Sequence, residues 1–184
     1  MQLYDAIHSR RTIHQYTAAP ALTDDVMERI LNAAHQAPNH KLTWPWRFNV
    51  VGPQTRASMV DVGIKLKAPN GHPSTRLQTL VREKIMSPAA LVVVSQMRCE
   101  DDFRGREDYA ATCCAIQNML LAAKAEGLGS KWSTGALTQA PPIYSLLNID
   151  ESMEEIVGFI WLGEPKSTPD IERPEVGTHI RRLP

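Results

Sequence analysis

Residues 107–138 read EDYAATCCAIQNMLLAAKAEGLGSKWSTGALT, and the fold is read outward from them. From Tyr109 to Ala125 the side chains are apolar or small on nearly every face, broken mainly by Gln117, Asn118 and Lys124. Ala, Leu, Met and Gln favour helix, and no residue in the run breaks one. A helix that is apolar all round has to be covered all round, by its own domain or by a second subunit. Gly127 suits the left-handed position that ends a helix. Leu128 to Thr134 then reads as a short strand, and Gly135 permits a turn with little side-chain bulk. A buried helix thus leads, through glycines, to a bare-backbone turn flanked by Trp132, Ser133 and Thr134. Such a turn can bring amide groups up to a flat ligand. Taken alone, the stretch reads first as a helix-to-strand connection whose glycines serve geometry only.

The chain has 184 residues, enough for one domain with a sizeable core. Its 20 basic and 20 acidic side chains balance, which argues against electrostatic nucleic-acid binding. No apolar run reaches membrane-spanning length, and Met-Gln-Leu-Tyr-Asp is not a signal-peptide start. A cytoplasmic protein acting neither at membranes nor on nucleic acid is expected. The three cysteines form neither a disulfide framework nor zinc-site spacing, and Cys113 and Cys114 read as core filler.

Upstream, Leu3, Ala6, Ile7 and Arg10 follow helical spacing, and Thr12 to Thr17 is extended. Ala18-Ala19-Pro20 marks a loop. Thr23 is a candidate N-cap for an amphipathic helix through Met27, Ile30, Leu31 and Ala34. A polar and aromatic loop from Pro38 to Pro45 precedes a strand at 47–51, a helix at 54–66, a loop at 68–74 and a helix at 75–86. A Val-rich strand at 90–95 is apolar on both faces. The charged segment 100–108 reads as a solvated loop. Pro141-Pro142 opens a short helix, and 155–162 is a second buried strand. Residues 166–184, rich in proline, form an extended tail without a core of their own. Helices interleaved with four short strands make an α+β fold built on one sheet, and the spare apolar helix surface suggests a dimer.

Arg10-Arg11-Thr12 offers two guanidinium groups and a hydroxyl at a structural junction. Arginine forks pair with phosphate oxygens, although a double arginine is also a common solvated surface pair. With no Walker loop and no G-x-G-x-x-G fingerprint, a phosphate here is held by side chains. Asn39-His40-Lys41 lies in the loop beside Trp44 and Trp46. It reads equally as packing at a strand start and as polar groups presented at an apolar pocket wall.

RRTIHQYT at residues 10–17, APNHKLTWPWRFNVV at 37–51, GLGSKWSTGALT at 127–138 and IVGFIWLGEP at 156–165 occur in this order. Together they resemble the FMN-dependent nitroreductase family, in its smaller members with an APxHK loop. The resemblance spans roughly Ala6 to Pro165. It implies a single nitroreductase-like domain over 1–184, with a central mixed β-sheet flanked by helices, in a domain-interlocked homodimer with FMN at the subunit interface. By motif position, Arg10, Arg11 and Thr12 bind the phosphate end and ring edge, and Trp132, Ser133, Thr134 and Gly135 line the isoalloxazine. Asn39 and His40 come from the other subunit. His14 stands where larger relatives have Arg or Lys, so it supplies a pH-dependent charge if it faces the pyrimidine edge. Arg181 and Arg182 are further candidates for the phosphate, or an exposed tail pair.

The implied activity is an NAD(P)H oxidoreductase working by ping-pong hydride transfer through the flavin to nitroaromatic, quinone or similar small acceptors. No protein residue is assigned as catalytic, because the flavin carries the difficult step, and no metal is expected. A non-catalytic FMN-binding redox sensor or partner-binding dimer is the alternative.

Overall fold

The computed structural model describes residues 1–18, 21–68 and 70–184. Its sheet contains β1 (Trp46–Val50), β2 (Ala90–Met97), β3 (Gly129–Ser133) and β4 (Glu154–Gly163), in the order β1-β2-β4-β3. All neighbouring strands run antiparallel, with Phe48 opposite Val94, Val92 opposite Ile160 and Trp132 also opposite Ile160. The mixed sheet expected from the resemblance is therefore antiparallel in its four strands. A parallel element enters only as the isolated bridge of Thr12 to Ser130, among the described residues.

Strand residues alternate between two faces. Val92, Val94, Ile160 and Leu162 turn to one face, where α2 (Asp24–His35) and α5 (Asp102–Ala125) cover them with Ile30, Ala34, Ile116 and Met119. Leu91, Val93, Phe159 and Trp161 turn to the other. There α3 (Pro53–Lys67), α4 (Thr75–Met86) and α6 (Pro141–Leu147) supply Met59, Val60, Val81, Ile85 and Ile143. Apolar layers on both faces explain why the two central strands read as unbroken hydrophobic runs. The first helix, α1 (Leu3–Ser9), buries only Ala6 and leaves Leu3 and Tyr4 exposed.

The segment 100–108 departs from its reading as a loop. Asp101 caps α5, its carboxylate accepting the Arg104 N–H at 2.7 Å, and Asp102 occupies the first turn. Acidic residues at a helix start complement the dipole and the unpaired amides there, so this charge marks a helix N-terminus. Helix α5 is not covered all round within one chain: Tyr109, Ala110, Cys114 and Gln117 are exposed. From Ile171 onward every tail residue is exposed, including Ile171, Val176, Ile180 and Leu183. The loops expected at 18–20 and 68–74 include Ala19, Pro20 and Pro69, which lie outside the described residues. No helix among the described residues is long and apolar enough to cross a membrane.

Candidate functional site

Helix α1 ends at Arg10 in extended backbone, and the chain then runs beside β3. Ile13 N–H donates to the Ser130 carbonyl at 3.0 Å, and further along Thr17 N–H donates to the Glu164 carbonyl at 3.0 Å. The approach is close because β3 starts with glycine: a Cβ on Gly129 would lie 2.7 Å from Ile13 Cγ1. This register sets Arg10 and Arg11 around one small cavity with Lys124, Gly127, Gly129 and Ser130.

The two arginines then differ. Arg11 donates to the His8 carbonyl at 2.6 Å and the Arg10 carbonyl at 3.0 Å, so its guanidinium is committed to the end of α1. Arg10 makes no side-chain hydrogen bond or ion pair among the described residues, whose two ion pairs are Arg29–Glu126 and Arg98–Glu155. Burial, then the charges of Arg173 and Arg11, push the Arg10 guanidinium below its usual value. Ser130 also lines that cavity, but its hydroxyl is buried and has no hydrogen-bond partner among the described residues. A crowded cation at a cavity makes a receptor for an oxyanion.

At the far end of β3 the side chains divide between the faces. Trp132 turns toward the α5 face, its indole N–H donating to the Val157 carbonyl at 3.4 Å. It lies over Gly158, where a Cβ would sit 2.1 Å from Trp132 Nε1. Ser133 turns to the α3–α4 face, and its Oγ accepts the Trp161 indole N–H at 2.7 Å. Thr134 and Gly135 are exposed. Gly135 has φ 124°, a conformation that L side chains rarely adopt. No atom lies within 4 Å of a Cβ placed there. The Thr138 N–H and hydroxyl both donate to the Gly135 carbonyl, at 2.9 and 2.8 Å, and hold the turn. A bare, fixed turn of this kind leaves room for a flat ring against backbone.

Between the two ends lies a basic stretch. His14 Nδ1 is 3.1 Å from Lys131 Nζ, and both line a cavity of about 580 Å³ against α4 with Tyr16, Lys84 and Lys166. Lys84 also borders a smaller cavity of about 100 Å³ under the turn, lined by Gly63, Lys67, Ser133, Thr134 and Leu137. Burial lowers the Lys84 pKa, with Lys131 and Lys67 adding to the effect, and burial lowers that of Lys131. From Ser130, which pairs with Thr12, to Gly135 is five residues, roughly 17 Å at strand rise. Arg10, Arg11, Thr12 and His14 thus lie in the segment beside β3, and Ser133, Thr134 and Gly135 at its far end. Lys84, Lys131 and Ser130 join them without having been singled out from the sequence. The signal for Lys131 was its spacing of two from Ser133, which puts both side chains on one face.

Asn39 and His40 lie elsewhere. Asn39 braces its own loop, donating from Nδ2 to Thr43 Oγ1 at 3.0 Å and accepting the Trp44 N–H at 2.7 Å. Thr43 in turn donates to Asp108 Oδ1 at 2.6 Å. Those bonds hold Lys41, Leu42 and Trp44 at φ 62°, 53° and 48°, at a cost of about 1–2 kcal/mol each. The loop presents His40, Leu42 and Trp44 outward, all exposed. Trp44 packs its ring against those of His35 and Trp46, at 5.4 and 5.9 Å. Asp108 anchors this loop near the start of α5, and Lys124 borders the Arg10 cavity near its end. Sixteen residues of α-helix separate them, roughly 24 Å. One chain therefore does not bring Asn39 and His40 to Arg10. Arg181 and Arg182 are exposed in the tail.

A model of the nitroreductase family matches residues 7–164. YdjA of Escherichia coli K12, provisionally named an NAD(P)H nitroreductase, is 29% identical over 179 residues, covering 95% of this chain and 96% of its own. Among solved structures, a nitroreductase-like family protein from Bacillus cereus superposes with a TM-score of 0.86 at 25% identity, over 100% of this chain and 96% of that one. A provisionally named nitroreductase from Desulfovibrio desulfuricans, in complex with FMN, superposes with a TM-score of 0.77 at 26% identity, over 100% of this chain and 98% of that one. With the match running from α1 to the end of β4, the chain belongs to the nitroreductase family.

Proposed function

We propose that this chain, a single domain over 1–184, binds FMN as a homodimer and works as an NAD(P)H-dependent flavin oxidoreductase on small electron acceptors such as nitroaromatics and quinones. The observation that carries the reading is the line of groups along β3. Arg10, which makes no side-chain hydrogen bond or ion pair among the described residues, lies at one end and the open Gly135 turn at the other, with basic side chains between. These fit a molecule that is a dianion at one end and a flat, electron-poor ring system at the other. The Desulfovibrio relative in complex with FMN supports the choice of flavin, and the name of YdjA supports NAD(P)H as donor.

When bound, FMN would supply the two-electron chemistry, hydride transfer from NAD(P)H to give NAD(P)+ and reduction of the acceptor. The chain's own residues bind and orient. Arg10, with the Thr12 hydroxyl, holds the phosphate, and Arg11 stiffens that corner by capping α1. His14 and Lys131 meet the ring edge, while Ser133, Thr134 and the Gly135 backbone form its wall. Trp132 acts from behind, as the packing that fixes β3. Asn39 and His40 reach the flavin from the second copy, since in one chain the length of α5 keeps them from Arg10. Burial of the exposed apolar residues of α1, α5 and the tail drives that pairing. No side chain is assigned as a proton donor.

Anaerobic stopped-flow mixing of the FMN-loaded protein with NADH, and separately with NADPH, tests the reading by flavin absorbance. Rapid bleaching by either donor is the expected result. A protein that retains FMN but stays yellow with both is a binding protein without this reductive half-reaction. Absence of FMN binding overturns the site.

A further inference from the structure

We propose that Lys131, aimed by His14, provides the fixed positive charge at the flavin's pyrimidine edge and so raises the reduction potential of the bound cofactor. The inference rests on the FMN reading above and assigns one residue a role within it. Lys131 stands two residues before Ser133 on the same face of β3, between the Arg10 cavity and the Gly135 turn. A bound flavin that places its phosphate at Arg10 and its ring at the turn passes this side chain.

With Lys131 as the cation, the contact with His14 fixes the tautomer of the imidazole. An ammonium has only N–H donors, so a hydrogen bond of 3.1 Å from Lys131 Nζ requires His14 Nδ1 to accept. An accepting Nδ1 means a neutral imidazole with its proton on Nε2. His14 therefore adds no charge in this arrangement. It holds a flexible four-carbon stem in one direction, and Lys131 keeps the cation. Among the described residues Glu83 is the one carboxylate bordering the cavity, and it forms no ion pair with any of them. Lys84 and Lys166 also face the cavity, but neither makes a side-chain hydrogen bond among the described residues. They supply diffuse potential, whereas Lys131 is aimed. Two-electron reduction by hydride leaves the flavin with added negative charge gathered at N1 and the C2 carbonyl. A cation fixed there stabilises the reduced form more than the oxidised one, which is the meaning of a raised potential.

The test compares wild type, Lys131→Met, Lys131→Arg and His14→Ala for the dissociation constants of oxidised and reduced FMN. Dye equilibration gives the two-electron potential of the loaded proteins. In Lys131→Met, binding of reduced FMN is expected to weaken about tenfold more than that of oxidised FMN, a fall of about 30 mV for a two-electron couple. Lys131→Arg retains most of the wild-type potential. His14→Ala falls between the two, because the charge stays and its aim is lost. An equal loss of affinity for both oxidation states in Lys131→Met, or an unchanged potential, overturns the role. Should Lys131→Met not fold, an unchanged potential in His14→Ala overturns the aiming on which the role depends. Wild-type protein that binds no FMN overturns the proposed function itself, and this inference falls with it.

Discussion

The roughly 24 Å of α5 between Asp108 and Lys124 makes a prediction about stoichiometry. If the Arg10 cavity and the Asn39–His40 loop serve one flavin, they serve it from different chains. Arg10→Ala removes charge-assisted hydrogen bonds worth about 1.5–3 kcal/mol, roughly 10- to 150-fold in affinity. His40→Asp brings a carboxylate toward an anionic ligand. At about 6 Å and an effective dielectric near 20, that repulsion is about 3 kcal/mol. His40 is exposed and makes no side-chain hydrogen bond among the described residues, so the change alters stability by no more than about 0.5 kcal/mol. Each homodimeric variant is expected to bind FMN poorly at both sites. In a hybrid dimer of the two variants, isolated with two different affinity tags, one site carries both lesions and the other carries neither. Titration with FMN should then show half the sites of the hybrid at wild-type affinity. Were Arg10 and His40 to serve the flavin from one chain, every site of the hybrid would carry one lesion. A hybrid without tight sites, from variants that pair normally, refutes the trans arrangement.

Gly158→Ala is expected to destabilise the fold by about 3 kcal/mol, because its Cβ would meet Trp132 Nε1 at 2.1 Å and the indole has to leave. An unchanged urea midpoint would mean that Trp132 does not lie over Gly158. The bidentate Arg29–Glu126 pair, with both bonds at 2.8 Å, ties α2 to the residue after α5. The hydrogen bond to Arg29 lowers the Glu126 pKa, so its contribution is present above the ordinary carboxylate range and lost as pH falls through the lowered value. The difference in Tm between wild type and Glu126→Gln should therefore shrink as the solution is acidified or salt is added, and a difference that persists in acid would assign it to packing.

Much of the architecture was legible because burial imposes a period. Met27, Ile30 and Ala34 mark the inner face of α2, and the unbroken valines of β2 announce a strand covered on both sides. The errors arose where one residue type serves two purposes. Acidic residues at 101–102 look like solvated loop until the Asp101 carboxylate is seen capping α5. Adjacent residues 132–135 look like one wall, but a strand sends neighbours to opposite faces. Trp132 packs on the α5 face, while Lys131, hidden by its ordinary charge, shares the face of Ser133. Nor does spacing reveal that Arg11 turns back onto α1 while Arg10 has no side-chain partner among the described residues, since that depends on where the His8 carbonyl points.

The loop at 39–44 strengthens the case for a second copy independently of distance. Three left-handed non-glycine residues cost several kcal/mol together, and the Asn39–Trp44 and Thr43–Asp108 bonds hold them in place. The shape so maintained buries little: His40, Leu42 and Trp44 all remain exposed. Strain of this kind persists where a surface must be presented ready-made. Helix α5 poses the same question on its exposed side, where Tyr109, Ala110 and Cys114 follow the buried Asp108 that anchors the loop. A partner packed along α5 would cover both features at once. With each loop already held far from its own Arg10, such a pairing would set it toward its neighbour's, so that one contact would account for both the apolar face of the helix and the strain of the loop.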